Sequence, residues 1–308
     1  MSNKNTGFPM AKATSTSEIK HIGIIGAGQM GNGIAHVAAQ NGFTVTMVDV
    51  NPASLEKALA TIAKNMDRQI QKGSLTEADK KTAEGRLQTS TKMADLKDCD
   101  LVVEAATENE DVKKKIFKEL DGILKPEGFI ASNTSSISIT RLAAVTTRPE
   151  KFIGLHFMNP VPMMALVEII RGLATTQETY ERILEVAQKM GKTAATSEDV
   201  PGFIVNRLLL PMLNEAAYAL QDGVADVRSI DTAMKLGAGH PMGPLQLADF
   251  IGLDTCVAIM RVLHNELGDS KYRPCPLLVK YVDAGWLGKK SGRGFYDYAD
   301  PANPKPSR

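Results

Sequence analysis

Short, unbroken apolar runs punctuate residues 20–25, 43–48, 100–105, 129–132, 152–155 and 165–170, with a weaker one at 193–196. Runs of this length read as strands buried on both faces. Between them the apolar spacing changes to a helical period over 32–40, 51–72, 75–85, 110–124 and 180–190. In 51–72 the inner positions are Leu55, Ala58, Leu59 and Ile62, and in 110–124 they are Val112, Ile116, Leu120 and Ile123. Strands alternating with helices predict a parallel, doubly wound sheet. The alternation stops before Glu198-Asp199-Val200-Pro201-Gly202. Beyond it the pattern is helical only, over 203–221, 227–236, 245–268 and 277–284, with Pro211 expected to kink the first of these. The helices at 203–220 and 245–263 are apolar around much of their circumference, which predicts tight packing and a subunit contact.

The first strand leads directly into Gly26-Ala27-Gly28-Gln29-Met30-Gly31, a helix follows, and the second strand ends at Asp49. Each glycine has a reason. Gly26 permits the tight turn, Gly28 lets backbone approach a pyrophosphate, and Gly31 lets the helix pack on the strand. A carboxylate at the end of the second strand accepts the ribose hydroxyls and repels a 2′-phosphate, so NAD is favoured over NADP. The alternative, a strand-to-helix turn with no nucleotide, leaves Asp49 unexplained. The fold class is therefore α/β: a Rossmann-like doubly wound sheet in an NAD-binding domain over 19–200, followed by an all-helical C-terminal domain over 201–308. The Ser/Thr-rich residues 1–18 read as a flexible leader.

Composition narrows the function classes. An apolar share of 43%, a charged share of 23% and a net charge of +1 describe an ordinary globular protein with no bulk field for nucleic acid or an anionic membrane. No run approaches the roughly 20 apolar residues of a membrane helix. Cys99, Cys256 and Cys275 form no paired motif, which fits buried free thiols in a reducing, cytoplasmic setting. No metal-ligand spacing is visible. Any anionic ligand needs a local cluster of cations. Lys64, Arg68 and Lys72 provide one stripe along the outer side of the 51–72 helix, readable as a solvated face or as a landing site for ligand phosphates. The Gly-rich segment Gly288–Phe295, which contains Lys289, Lys290 and Arg293, reads equally as solvated loop or ligand clamp.

Polar groups follow or interrupt the later apolar runs: Ser135 after 129–132, His156 and Asn159 in and after 152–155, and Glu168 within 165–170. Glu108 lies in the loop after the 100–105 run, and Lys113 stands near the start of the next helix. Oxidation of a secondary alcohol by a nicotinamide needs a base of near-neutral pKa, a counter-charge for the imidazolium formed, and donors to the substrate oxygen. His156, Glu168, and the Ser135 hydroxyl with the Asn206 amide are groups of those types. Each has a plainer reading as a core histidine, a strand-end acid, a turn hydroxyl or a helix cap. Their occurrence together behind a nucleotide unit argues against all four plain readings at once.

The strings GAGQMGNGIA, LVVEAATEN, ASNTSSISIT, GLHFMNPVP, LVEII, PGFIVNRLL, IDTAMKLGAGHPMGP and GKKSGRGFY occur in that order over residues 20–298. On them the chain resembles the L-3-hydroxyacyl-CoA dehydrogenases, most closely their short forms. The resemblance implies reversible oxidation of an L-3-hydroxyacyl-CoA by NAD, with His156 as base paired to Glu168, and Ser135 and Asn206 at the substrate oxygen. It implies cofactor contacts at Asp49, Glu108, Lys113, Ser135, Asn159 and Lys290, a CoA contact at Lys72, and a homodimer through the helical domain. Asn65 stands where a relative has serine, and Met158 replaces a common phenylalanine. Two other readings exist: a dehydrogenase of free hydroxy or sugar acids, and a structural protein like lambda-crystallin.

Overall fold

The computed structural model describes residues 18–307, so the expected leader lies, but for its last residue, outside the described residues. The sheet is built from β1 (His21–Ile25), β2 (Thr44–Val48), β3 (Leu87–Ser90), β4 (Leu101–Glu104), β5 (Phe129–Ser132), β6 (Phe152–Phe157), β7 (Leu166–Arg171) and β8 (Thr193–Glu198). Its order is β3-β2-β1-β4-β5-β6-β7-β8. All neighbours are parallel except β6 and β7, which run antiparallel. The order reverses at β1 and β4, and a crevice opens there beyond the carboxyl ends of the strands.

Helices α1 (Gln29–Gln40), α2 (Pro52–Gln71), α3 (Glu77–Glu84) and α6 (Gln177–Lys189) cover one face. Their buried Ile34, Ile62, Ala83 and Ile183 join Ile24, Val45 and Leu155 of the sheet in one core. Helices α4 (Glu110–Ile123) and α5 (Ile139–Ala143) cover the other, where Phe117 meets Phe152 edge-on at 4.8 Å between ring centres. Burying a side chain of this size stabilises the fold by about 2 kcal/mol, and this contact holds β6 in place.

The helical part contains α7 (Val205–Gln221), α8 (Val227–Gly237), α9 (Pro244–Ile251), α10 (Leu253–Leu267) and α11 (Pro276–Asp283), with a core of its own. A short antiparallel pair, β9 (Tyr296–Asp297) and β10 (Lys305–Pro306), closes the chain.

Several sequence expectations need correction. The single helix expected over 245–268 is two, because Gly252 adopts φ +105, a conformation that breaks the helical path between Ile251 and Leu253. Strand β3 and helix α5 went unpredicted. Leu-Gln-Thr-Ser is an exposed edge with no apolar run, and α5 is too short for its period to register. Helix α7 carries Pro211 inside it, as the span expected over 203–221 requires. In α4 Val112, expected on the inner side, is 43% exposed, while Lys113 is buried. The reason is Glu104, a fully buried carboxylate that pairs with the Lys113 ammonium at 2.5 Å.

Candidate active site

The glycine turn has the shape its sequence predicts. Gly26 sits at φ +99, and a Cβ there would lie 2.6 Å from the Ala106 backbone. A Cβ on Gly31 would lie 1.8 Å from the Gly26 carbonyl, so the close helix–strand contact requires glycine. At Gly28 a Cβ would meet nothing within 4 Å, which leaves the backbone open to a ligand. The first turn of α1 has no side-chain cap and no acid, so its N–H groups and positive dipole end remain available for an anion. Asp49 Oδ2 accepts from Ala27 N at 2.8 Å and Oδ1 from Asn51 N at 2.9 Å, tying the end of β2 to the turn. These features fit a dinucleotide.

At the far side of the crevice the antiparallel register sets His156 directly across from Glu168. The sequence reading had expected a half-buried pair meeting from strand ends. Both side chains are instead within strands and buried, His156 being 8% exposed. His156 Nδ1 lies 2.7 Å from Glu168 Oε2. Glu168 Oε1 accepts the N–H groups of Ile204 and Val205 at 3.0 and 2.9 Å. Helix α7 has no capping side chain of its own, so the carboxylate from the sheet caps it. Burial pushes the Glu168 carboxyl up, but the bonds from His156, Val205 and Ile204 outweigh it and hold the group below its ordinary range. An ionised carboxylate only accepts hydrogen bonds. In the neutral ring Nδ1 therefore carries the proton, and Nε2, which has no partner among the described residues, is the nitrogen with the free lone pair.

The approach to α7 passes through Gly202 at φ +78 and Phe203 at φ +50. A left-handed phenylalanine is strained, and it is held where its ring packs 5.8 Å from the His156 ring. The sequence reading missed this turn. The local signal was the Pro201-Gly202 dipeptide, which the sequence offers as a domain boundary and not as a strained turn.

Ser135 lies in a turn organised by Glu108, whose Oε1 accepts from Thr134 Oγ1 (2.7 Å), Ser135 N (2.8 Å) and Ser135 Oγ (2.9 Å). Asn206 Nδ2 donates to the Ser135 carbonyl at 3.2 Å, joining α7 to this turn. Lys113 lies 3.7 Å from Glu108 and, being buried against Glu104, supports that acid from behind. Asp199, noted in sequence only as part of the boundary, accepts from Ser138 Oγ, Ile139 N and Thr140 N at 2.7, 2.9 and 2.7 Å, and so ties the linker to the same loop.

Asn159 Oδ1 accepts from Gln29 Nε2 at 3.0 Å, which connects the glycine turn to the loop after His156. A cleft of about 430 Å³ lies here, lined by Gly28, Gln29, Lys57, Asn65, Asn159 and Val161, among others. Lys64 and Arg68 are exposed on the same helix, α2, as Lys57 and Asn65, and Lys72 is exposed at its C-terminal cap. Lys290 is paired at 2.6 Å with Asp254 of α10, in the helical part of the molecule. The three cysteines are buried, and burial pushes the Cys99 and Cys256 thiols up to about 12, which leaves neither as a nucleophile at neutral pH.

A glycine-turn sheet with an oriented imidazole at its crevice defines a nicotinamide-dependent dehydrogenase. Residues 21–200 match the model of the 3-hydroxyacyl-CoA dehydrogenase NAD binding domain, and residues 202–298 match that of the 3-hydroxyacyl-CoA dehydrogenase C-terminal domain. The chain is 63% identical over 290 residues to a 3-hydroxybutyryl-CoA dehydrogenase of Bradyrhizobium diazoefficiens, covering 94% of this chain and 99% of that one. It is 58% identical over 283 residues to a probable 3-hydroxybutyryl-CoA dehydrogenase of Bacillus subtilis, covering 92% and 99%. The crystal structure of (S)-3-hydroxybutyryl-CoA dehydrogenase from Ralstonia eutropha superposes with a TM-score of 0.90 at 54% identity, over 92% of this chain and all of that one. The chain belongs to the 3-hydroxyacyl-CoA dehydrogenase family, and it is an NAD-dependent oxidoreductase.

Proposed function

We propose that this protein interconverts an L-3-hydroxyacyl-CoA and its 3-oxoacyl-CoA, with the four-carbon 3-hydroxybutyryl-CoA as preferred substrate. The relatives' names point to that chain length. The observation that carries the reading is the His156–Glu168 pair at 2.7 Å, with Nε2 unpartnered among the described residues, beside the crevice of a nucleotide-binding sheet. NAD held at the glycine turn would supply a hydride acceptor for carbon 3. His156 Nε2 takes the hydroxyl proton, and Glu168 balances the imidazolium charge that results. In the reverse direction the imidazolium returns the proton to the oxo group. Ser135 and Asn206 hold the substrate oxygen, and Asp49, Glu108, Asn159 and Lys290 hold the cofactor, with Lys113 supporting Glu108. Wild-type enzyme should oxidise NADH with acetoacetyl-CoA and not with free acetoacetate. Equal rates on the free acid would favour a hydroxy-acid dehydrogenase, and no oxidation of either would favour a structural role.

The basic stripe of Lys64, Arg68 and Lys72 is read as the contact for CoA phosphates. Reversing all three charges should raise the KM for acetoacetyl-CoA by about tenfold or more, most strongly at low salt, with kcat little changed. An unchanged KM would return the stripe to a solvated face. Asp49→Ser should raise the KM for NADH by about tenfold and narrow the preference over NADPH, measured as the ratio of kcat/KM for the two cofactors.

The two functional domains are taken as residues 19–200 and 201–308. Leu208 of α7 and Phe250 of α9 are exposed apolar side chains on the helical part, which supports a homodimer formed through it. Among the described residues no helix is long and apolar enough to cross a membrane. With three unpaired buried cysteines, a cytoplasmic location is the reading we favour.

A further inference from the structure

A buried ammonium stands outside every group assigned so far. Lys192 precedes β8 and is 9% exposed. Its Nζ donates to the carbonyls of Val161 at 2.6 Å and Met164 at 2.8 Å. No carboxylate pairs with it among the described residues, and burial pushes its pKa below the ordinary lysine range. An unpaired buried cation is costly where a leucine or methionine would fill the same space at no such cost. The two carbonyl contacts are what the charge offers in return.

Both carbonyls belong to the loop joining β6 to β7, the two strands that carry His156 and Glu168. Pro160 O accepts the N–H groups of Met163 and Met164 at 3.0 Å each, closing a tight turn. The Val161 and Met164 carbonyls face inward, where Lys192 satisfies them. The loop also rests on α1 at Gly33, where a Cβ would stand 2.8 Å from Val161 Cβ. The loop is thus held between a glycine on α1 and a lysine at the start of β8. Asn159, Pro160, Val161 and Pro162 form one wall of the 430 Å³ cleft, with Lys57 and Asn65 also lining it.

We propose that Lys192 is a positioning residue that clamps the β6–β7 loop onto α1 and so holds the part of the cleft wall formed by Val161 and Pro162, across from Lys57 and Asn65, in register with His156. The proposal rests on the acyl-CoA reading above. Asn159, at the start of the loop, has a separate tether in Gln29, so the clamp at Val161 and Met164 acts on the stretch of loop that follows it.

The test is Lys192→Met, which keeps the stem and removes the ammonium. The KM for acetoacetyl-CoA should rise about tenfold, with kcat and the KM for NADH within about threefold of wild type. In a folded variant, an acetoacetyl-CoA KM within about twofold of wild type would overturn the clamp, as would equal rises in both KM values. Should Lys192→Met not fold, Gly33→Ala displaces Val161 by direct contact from α1. It should give the same selective rise in KM, and an unchanged KM would overturn the proposal. Wild-type enzyme assayed alongside separates the two ideas. Inactivity of wild type towards acetoacetyl-CoA refutes the substrate reading, whereas an active wild type with an unaffected variant refutes the clamp alone.

Discussion

Replacing His156 with glutamine lowers kcat for NADH-driven reduction of acetoacetyl-CoA by about a thousandfold, while NADH binding, followed by its fluorescence, stays within about twofold of wild type. Glutamine fills most of the imidazole volume and still offers Glu168 a donor, so the strands keep their pairing. What it lacks is a group able to take up and release a proton near neutral pH. Nε2 has no partner among the described residues and is the ring atom left for the substrate. A variant turning over at near wild-type rate would move the proton transfer to another residue.

Glu168→Gln is the second large effect, and it tests two functions at once. The carboxylate accepts from His156 on one oxygen and from Ile204 and Val205 on the other. An amide has one acceptor and one donor, so a donor must meet either Nδ1–H or the end of α7. The expected losses are about a hundredfold or more in kcat and about 3 kcal/mol in stability. Because the carboxyl is held below its ordinary range, its contribution is complete above the unfolded value and is lost as pH falls through the lower folded value. The stability gap between wild type and variant, measured by denaturant unfolding, should therefore hold from pH 8 to about pH 5 and close only below about pH 4. A gap that closed between pH 7 and pH 5 would mean that Glu168 is not the charged partner assigned here. The same reasoning makes Glu168 an unsuitable source for any acid limb of kcat/KM above about pH 5.

Much of the architecture was legible because its signals are local. The apolar runs at 101–104, 129–132 and 152–157 could hardly be anything but central strands, and the glycine turn carries its own steric logic from Gly26 to Gly31. Edges were less legible. β3 has two exposed positions among its four and depends on β2 for its existence, a dependence no periodicity records. Gly252 divides α9 from α10, although glycine inside an apolar helical pattern is often tolerated. Lys113 shows the same limit at the level of one side chain. A lysine in a helix's first turns reads as solvated until a buried Glu104, contributed by a neighbouring strand, draws it inward.

What the linear order of residues determined by itself was the chemistry on offer: a nucleotide turn with an acid after the second strand, and a histidine, a carboxylate, a hydroxyl and an amide placed downstream of it. Those are properties of residue type and short spacing, which survive without knowledge of contacts. Only the tertiary structure decided how these groups are used. The antiparallel turn between β6 and β7 brings positions 156 and 168 face to face, and the uncapped start of α7 supplies the N–H groups that keep Glu168 charged. The strained Phe203 turn, the Asp199 tie and the Lys192 clamp arise from residues far apart in the chain. Such contacts depend on where the backbone returns after a long excursion, and a short-range pattern carries no record of that.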